Sequence, residues 1–399
     1  LSKQQLAQSY PALLRKTGYY TGFVGKWGIG HTVKNTNVAV PFFDFWAGAS
    51  HQTLFWHDRD CNYVTKNGVG NICTCGKAIN KEGVGPGGHQ SSYKHLKHPL
   101  HTDTDIFPLK MRQFLKARDP KKPFCLSLFY KAPHGPEDGW DRFKFKNTYE
   151  KTSFTMPETA TLALADARPT FLRSEKTMLG VGGGYNYLRN PDKLQEYVRD
   201  YNRLISGLDY SVGKIQQILK ENGLSDNTVI IFTSDNGHFN ADHGFMGKWL
   251  MREPSLRVPG FVCDPRLPMS KRGKRVDPMV TTIDFTATIL DLAGVDIPAS
   301  MQGHSFVPLI EETGPQEPVR TEFFYDHPYG HGGKLPIIVG VRTERYKYTR
   351  YTSQKPAFEE LFDLEKDPNE TRNLVGPVEH RSLLKQLSRK TDAYVKSVK

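Results

Sequence analysis

The 399-residue chain has no apolar run long enough to span a bilayer, which excludes a transmembrane helix as an organising element. Cysteine is scarce as well: five residues, an odd number, are too few to scaffold a chain of this length. Cys61, Cys73 and Cys75 share one Gly- and His-rich segment. A single Cys-x-Cys there, without a second spaced pair, points to one disulfide rather than a zinc site. The Gly-rich stretch Gly180-Val-Gly-Gly-Gly184 lacks the Lys-Ser/Thr that would engage phosphates and magnesium, so it reads as a flexible connection. No signal peptide, internal repeat or nucleic-acid-binding module is visible.

Charge is plentiful. With 54 Lys and Arg against 42 Asp and Glu, the net charge is +12, a surface that attracts polyanions. The densest basic run, Lys271-Arg-Gly-Lys-Arg275, reads as a solvated loop. The length suffices for a large α/β domain with a smaller one appended.

Periodicity and turn residues order the chain. A short helix at Pro11 to Lys16 leads through Gly18 into a strand from Tyr20 to Val24, and a loop-rich segment follows from Gly28 to about His101. Asp103 to Ala117 is expected to be helical and to feed a strand ending before His134. A second irregular stretch, from about Gly135 to Pro191, precedes a long helix marked by Leu204, Leu208, Val212, Ile215 and Leu219 and capped at Gly223. Asp284 to Ala293 reads as a helix closed by Gly294, and Glu311 to Pro318 as a linker. Ile337 to Arg342 and Tyr346 to Tyr351 form an expected hairpin, so the tail reads as a small antiparallel α+β subdomain.

The most informative stretch is Thr228-Val-Ile-Ile-Phe-Thr-Ser-Asp-Asn-Gly-His238, followed by Gly247-Lys-Trp-Leu-Met-Arg-Glu253. Its apolar run predicts a buried parallel strand, and Asp235-Asn236 then falls at the C-terminal strand end, where open α/β sheets place ligands. Adjacent hard oxygens suit Ca²⁺ or Mg²⁺, and Lys248 could bind an anionic oxygen held by that metal. The same residues also suit an ordinary strand ending in an Asx turn, and the stretch alone does not choose between the two.

Four blocks in order resemble the sulfatase family of the alkaline-phosphatase superfamily. They are Gly18-Tyr-Tyr-Thr with Gly25-Lys-Trp27, the strand Pro123 to Tyr130 delivering His134 beside Pro136, Ser234 to Gly237 with Gly247-Lys248 and Glu253 to Pro259, and Glu360-Leu-Phe-Asp-Leu with Asp367-Pro and Asn373-Leu374. The resemblance implies an α/β fold with a large mixed sheet flanked by helices. The catalytic domain would span residues 1–310, with a C-terminal antiparallel α+β subdomain over 311–399. It further implies Lys26, His134 and Lys248 as catalytic residues and Asp235 and Asn236 as ligands of Ca²⁺, with Mg²⁺ the lesser alternative.

Two family features are missing. The paired metal-binding aspartates of a first strand are absent, and so is the Cys-x-Pro-Ser-Arg or Ser-x-Pro-Ser-Arg block whose first residue becomes formylglycine. The expectation is a partial sequence lacking that N-terminal segment and inactive by itself. Gly28 stands where many members carry a histidine, and His31 is a candidate substitute. The resemblance implies hydrolysis of a sulfate monoester, on a small molecule or a sulfated polysaccharide, in an extracytoplasmic compartment: periplasmic, secreted or lysosomal. No nucleic-acid partner is expected. The alternatives are a phosphonate or phosphate ester hydrolase of the same superfamily, or a catalytically dead homologue that binds sulfated glycans. Asn236 favours a hard cation over the zinc pair of the phosphatases, since an Asp-His pair would suit Zn²⁺.

Overall fold

The computed structural model describes residues 2–28, 36–50, 54–66, 96–173, 181–312, 318–330 and 334–398. It shows the expected α/β architecture, and among the described residues no helix is long and apolar enough to cross a membrane. The chain divides into two compact units. One comprises residues 1–154, 195–228 and 285–307, the other 155–194, 229–284 and 308–399.

The first unit is built on a parallel sheet in the order β2 (Phe45–Ser50), β1 (Tyr20–Trp27), β5 (Phe124–Phe129), with β1 in the centre. An interior parallel strand is covered on both faces, and Thr21 to Gly25 is buried without alternation. Phe23 stacks on Trp46 at 4.9 Å and on Phe129 at 5.0 Å between ring centroids, so one aromatic cluster ties all three strands together. The helix Phe107–Ala117 packs Phe114 against Tyr20, Phe45 and Phe124. Strand β2 lies inside the segment read as loop-rich from the sequence; its Ala-Gly-Ala core gives little hydrophobic signal, but it pairs with β1 over six residues. A small antiparallel pair, β3 (Trp56–Asp58) and β4 (Pro99–His101), lies in the same segment. The expected helix from Asp103 begins instead as a π-helical turn, Thr102–Ile106.

The second unit carries the four-stranded antiparallel sheet β10 (Glu322–His327), β11 (Ile338–Thr343), β12 (Tyr346–Tyr351), β13 (Phe358–Asp363), which includes the expected hairpin. One face receives the helix Arg381–Ser397, with Leu387 packed among Val341, Tyr348, Leu361 and Leu374. The other face meets Phe239, Phe245, Leu250 and Met251 through Ile338 and Tyr351. At Gly340 a Cβ would lie 2.5 Å from the Met251 sulfur, so glycine permits that close approach.

Several expectations change. Strand β6 (Ile230–Thr233) runs antiparallel to β9 (Gly260–Cys263) in a two-stranded sheet and is half-buried, not a fully buried parallel strand. A continuous apolar run encodes burial tendency but not strand direction, and the partner here returns along β6 within 30 residues. Cys61 is buried with Tyr63, Val64 and Ile106, its sulfur 3.8 Å from His57 Nδ1; the expected disulfide also involves Cys73 and Cys75, which with His31 lie outside the described residues. Val181–Gly183 is a helical turn with Val181 buried, not a flexible connection. The long helix is Pro191–Glu221, and Gly223 and Gly294 both adopt positive φ as terminators of their helices.

Gly25 sits at φ +103° in β1, immediately before Lys26, and a Cβ there would lie 2.0 Å from the Phe129 carbonyl oxygen. Gly25→Ala is therefore expected to destabilise the protein by at least about 2 kcal/mol in urea unfolding, through combined strain and overlap. A loss below about 0.5 kcal/mol, the range of an ordinary surface change, would contradict the packing described for β1 and β5.

Candidate active site

The first unit places Lys26 and His134 near its sheet's C-terminal edge. Lys26 is the penultimate residue of β1, and His134 follows β5 by five residues. The His134 amide donates to the Lys131 carbonyl at 2.9 Å, closing the turn that carries the ring. Nδ1 lies 3.0 Å from the Gly135 carbonyl oxygen, which can only accept, so Nδ1 carries a proton and proton exchange with a ligand falls to Nε2.

Beneath this turn lies a buried charged group that the sequence reading did not single out. Lys131 is 2% exposed, and its ammonium sits over the Phe55 ring at 4.8 Å. Burial pushes its pKa down to about 8, Asp103 opposing and Lys26 adding to the depression. Asp103, buried in the π-helical turn, has its carboxyl pushed up by burial against the pull of His101, Lys131 and the backbone N–H groups of Lys131 and Ala132. The available signal was a lysine three residues before a candidate catalytic histidine. Its partner lies 28 positions upstream, where nothing marks it.

The second unit brings Asn236 and Lys248 together. The Lys248 ammonium donates to Asn236 Oδ1 at 2.8 Å, while Asn236 Nδ2 donates to the Gly237 carbonyl at 2.7 Å. Asp235 is exposed beside them, two residues past the end of β6. The Gly237 amide donates to the Ser255 carbonyl at 2.9 Å, and a Cβ at Gly237 would lie 2.1 Å from the Pro254 carbonyl oxygen. Glycine is thus what lets the segment 254–257 close on the backbone at Gly237, next to Asn236. His238 Nδ1 donates to Asn240 Oδ1, 3.1 Å away, and burial lowers its pKa, with Lys248 acting in the same direction.

The loop carrying Lys248 is fixed at both peptide groups of Trp249. Its amide donates to Ser255 Oγ at 3.1 Å and its carbonyl accepts from the Tyr325 hydroxyl at 2.8 Å. Beyond it, Arg252 and Glu253 reach the inner face of the four-stranded sheet. Arg252 pairs with Glu360 at 2.5 Å, donates to the Glu370 carbonyl at 2.8 Å and lies over the Phe362 ring. Glu253 pairs with Lys347 at 3.1 Å, and Lys347 also pairs with Glu370. Burial raises the Glu253 carboxyl, but Lys347 and Arg342 outweigh it and hold the group below the usual carboxylate range. These partners lie about a hundred residues apart in sequence, and no local pattern links them.

An amide oxygen beside an exposed carboxylate is a hard-donor pair, and Asn236 Oδ1 already accepts a cation in the form of the Lys248 ammonium. The pair fits Ca²⁺ as part of a ligand set, since Ca²⁺ takes roughly six to eight oxygens. Among the described residues no group of three or more His, Cys, Asp or Glu could complete it. Lys26 and His134 belong to the first unit, and Asp235, Asn236 and Lys248 to the second.

Lys131 supplies a pH test. The unfolded lysine holds its proton to about 10.5 and the folded one only to about 8, so between these values the unfolded chain binds more protons and stability rises with pH. Lys110, fully buried, is depressed to about 8 by burial and contributes the same way. Between roughly pH 7.5 and 9.5 each lysine should add about 2 kcal/mol. In urea unfolding at the two pH values, Lys131→Met should lose its share of that rise; an unchanged slope would show that Lys131 is not desolvated.

The sulfatase family profile matches residues 2–295, and that of the N-sulphoglucosamine sulphohydrolase C-terminal region matches 241–397. An N-acetylglucosamine-6-O-sulfatase of Bacteroides thetaiotaomicron is 25% identical over 95% of this chain and 71% of its own length. An arylsulfatase of Clostridium perfringens is 30% identical over 70% of this chain, which spans little more than half of that relative, 57%. A solved structure of a protein in complex with its substrate, D-glucosamine-2-N,6-O-disulfate, superposes with a TM-score of 0.69 at 22% identity, covering 97% of this chain and 81% of that one. With its fold matched over nearly its whole length and three of its four ordered blocks inside the family profile, the chain belongs to the sulfatase family.

Proposed function

We propose that this chain carries the electrostatic part of a sulfatase that hydrolyses a sulfate monoester on a sulfated carbohydrate. The observation that carries the reading is the Lys248 ammonium held 2.8 Å from Asn236 Oδ1, beside the exposed Asp235. A cation-binding oxygen and a fixed ammonium, side by side at a strand end, suit an anionic group with several oxygens. The names of the relatives, an N-acetylglucosamine-6-O-sulfatase among them, support a sulfated amino sugar as the substrate class.

In this proposal Asp235 and Asn236 hold Ca²⁺, whose chemistry is to polarise sulfate oxygens. Lys26 and Lys248 neutralise charge that builds on the sulfuryl group as the ester bond breaks. His134 or Lys248 gives the departing alkoxide its proton; in His134 the Gly135 carbonyl holds the Nδ1 proton, so the ring acts as an acid only when protonated at both nitrogens, giving up the proton on Nε2. The nucleophile is a formylglycine from a Cys- or Ser-x-Pro-Ser-Arg block, which these 399 residues do not contain. An extracytoplasmic compartment, the usual setting of sulfated glycans, is part of the same proposal.

The test compares residues 1–399 with a longer chain that includes such a block, made in a host that forms formylglycine. Both are assayed with Ca²⁺ on a chromogenic aryl sulfate and on 6-O-sulfated N-acetylglucosamine. The shorter chain is expected to show no turnover, the longer one to turn over, and Lys248→Ala to lower kcat by about 10²–10³. Turnover by residues 1–399 alone would assign the chemistry to another nucleophile. Folded but inactive longer chain would favour a glycan-binding homologue without catalysis.

A further inference from the structure

The helix Arg381–Ser397 contains five basic residues and one acid, and its two faces are sharply divided. Leu387 and Thr391 are buried against the four-stranded sheet, with Leu383 and Leu384 packed beside them and Tyr394 stacked on Phe324. The opposite face exposes Arg381, Lys385 and Arg389. At four-residue spacing, successive cations lie about 6 Å apart along the axis.

No acid answers this row of three. Among the described residues no carboxylate forms an ion pair with Arg381, Lys385 or Arg389. Elsewhere in the same unit Arg266, Lys274, Arg275, Arg320 and Arg345 are paired, and single exposed cations such as Arg257 and Arg372 form no ion pair among the described residues, but none of these forms a row along one helix face. The densest basic run of the sequence is among those engaged: Lys274 pairs with Glu312 and Arg275 with Asp277. Two acids near the row are taken, Asp392 by Arg350 at 2.6 Å and Glu322 by Lys390 at 2.6 Å, and Glu379, two residues before Arg381, forms no ion pair with it among the described residues. Three like charges at i, i+4 and i+8 repel each other and weaken the helix, so nothing in the fold itself accounts for them. Between them Ser382, Gln386 and Ala393 line a shallow groove with Lys385, Arg389 and Lys390, offering hydroxyl and amide groups beside the cations.

We propose that this face docks an extended sulfated polysaccharide, holding sulfate groups along the polymer away from the ester being cleaved. The inference rests on the sulfatase reading and adds that the substrate is polymeric. Cations spaced along a line, interleaved with small polar side chains, match a chain that carries anionic groups at intervals and hydroxyls between them. A single sulfated sugar would span one cation of the row and gain little from it. Binding of this kind releases counterions, so it weakens steeply with salt.

The experiment uses the full chain, wild type and Lys385→Glu/Arg389→Glu. Both positions are exposed, and circular dichroism checks that the helix content is kept. Titration calorimetry measures binding of dextran sulfate, of 6-O-sulfated N-acetylglucosamine and of a single-stranded oligonucleotide of matched charge, at several salt concentrations. The double variant is expected to lose about fivefold or more in dextran sulfate affinity and to show a shallower salt slope, with binding of the monosulfated sugar unchanged. A loss smaller than about fivefold, or oligonucleotide binding as tight as dextran sulfate and equally sensitive to the variant, would overturn the proposal. Lys248→Ala separates the two readings. If it leaves monosulfated-sugar binding intact, the sulfate site is wrong while the docking face stands; if it abolishes that binding while dextran sulfate binding survives the double reversal, the docking face is wrong and the sulfate site stands.

Discussion

The buried ion network that joins Arg252 and Glu253 to Lys347, Glu360 and Glu370 is the constraint on which the second unit depends. Alternation along the strands sets it up: Lys347 and Tyr351 on β12 share the inner face with Glu360 and Phe362 on β13, leaving Tyr348 and Leu361 to the helix side. The Tyr351 hydroxyl donates to Glu360 at 2.7 Å, so the carboxylate that receives Arg252 is itself oriented by the sheet. Removing one partner of such a network strands the others without water, at a cost of about 3–5 kcal/mol. The arrangement therefore fixes one position for the loop more firmly than an apolar contact would, and that loop begins with Lys248.

The two units handle buried charge differently. In the second, Arg252 and Lys347 meet carboxylates, and Arg252 stays charged because Glu360 and Glu370 offset its burial. In the first, Lys131 is only partly offset by Asp103 and faces a second lysine, Lys26. A site that concentrates positive charge suits an anionic ligand, and the stability forgone at Lys131 is the expected cost of keeping the charge there.

The sequence is most legible where local chemistry sets local structure. Gly223 and Gly294 end helices as read, Tyr346 to Tyr351 pairs back on Ile338 to Thr343, and Asp235-Asn236 follows a strand end. Asn236 and Lys248, 12 residues apart, could be joined because one short loop links them. Three things escaped. The direction of β6 is a tertiary choice between partners, strand β2 is hidden by its Ala-Gly-Ala run, and the partners of Arg252 lie beyond any sequence window. The C-terminal block around Glu360 and Asn373 was recognised as a pattern, and the structure supplies its physical role. Glu360 holds Arg252, and Asn373 Oδ1 accepts the Leu361 amide to fix the strand that presents Glu360.

The central claim is that the four-stranded sheet positions the Lys248 loop through Glu360 and Arg252. Amide hydrogen exchange in Glu360→Gln measures it directly. The account predicts faster exchange at Gly237 and Trp249, whose amides bond to Ser255, while the paired amides of β11 and β12 stay protected. Unchanged exchange at Gly237 and Trp249, or an equal acceleration across the whole sheet, would contradict it.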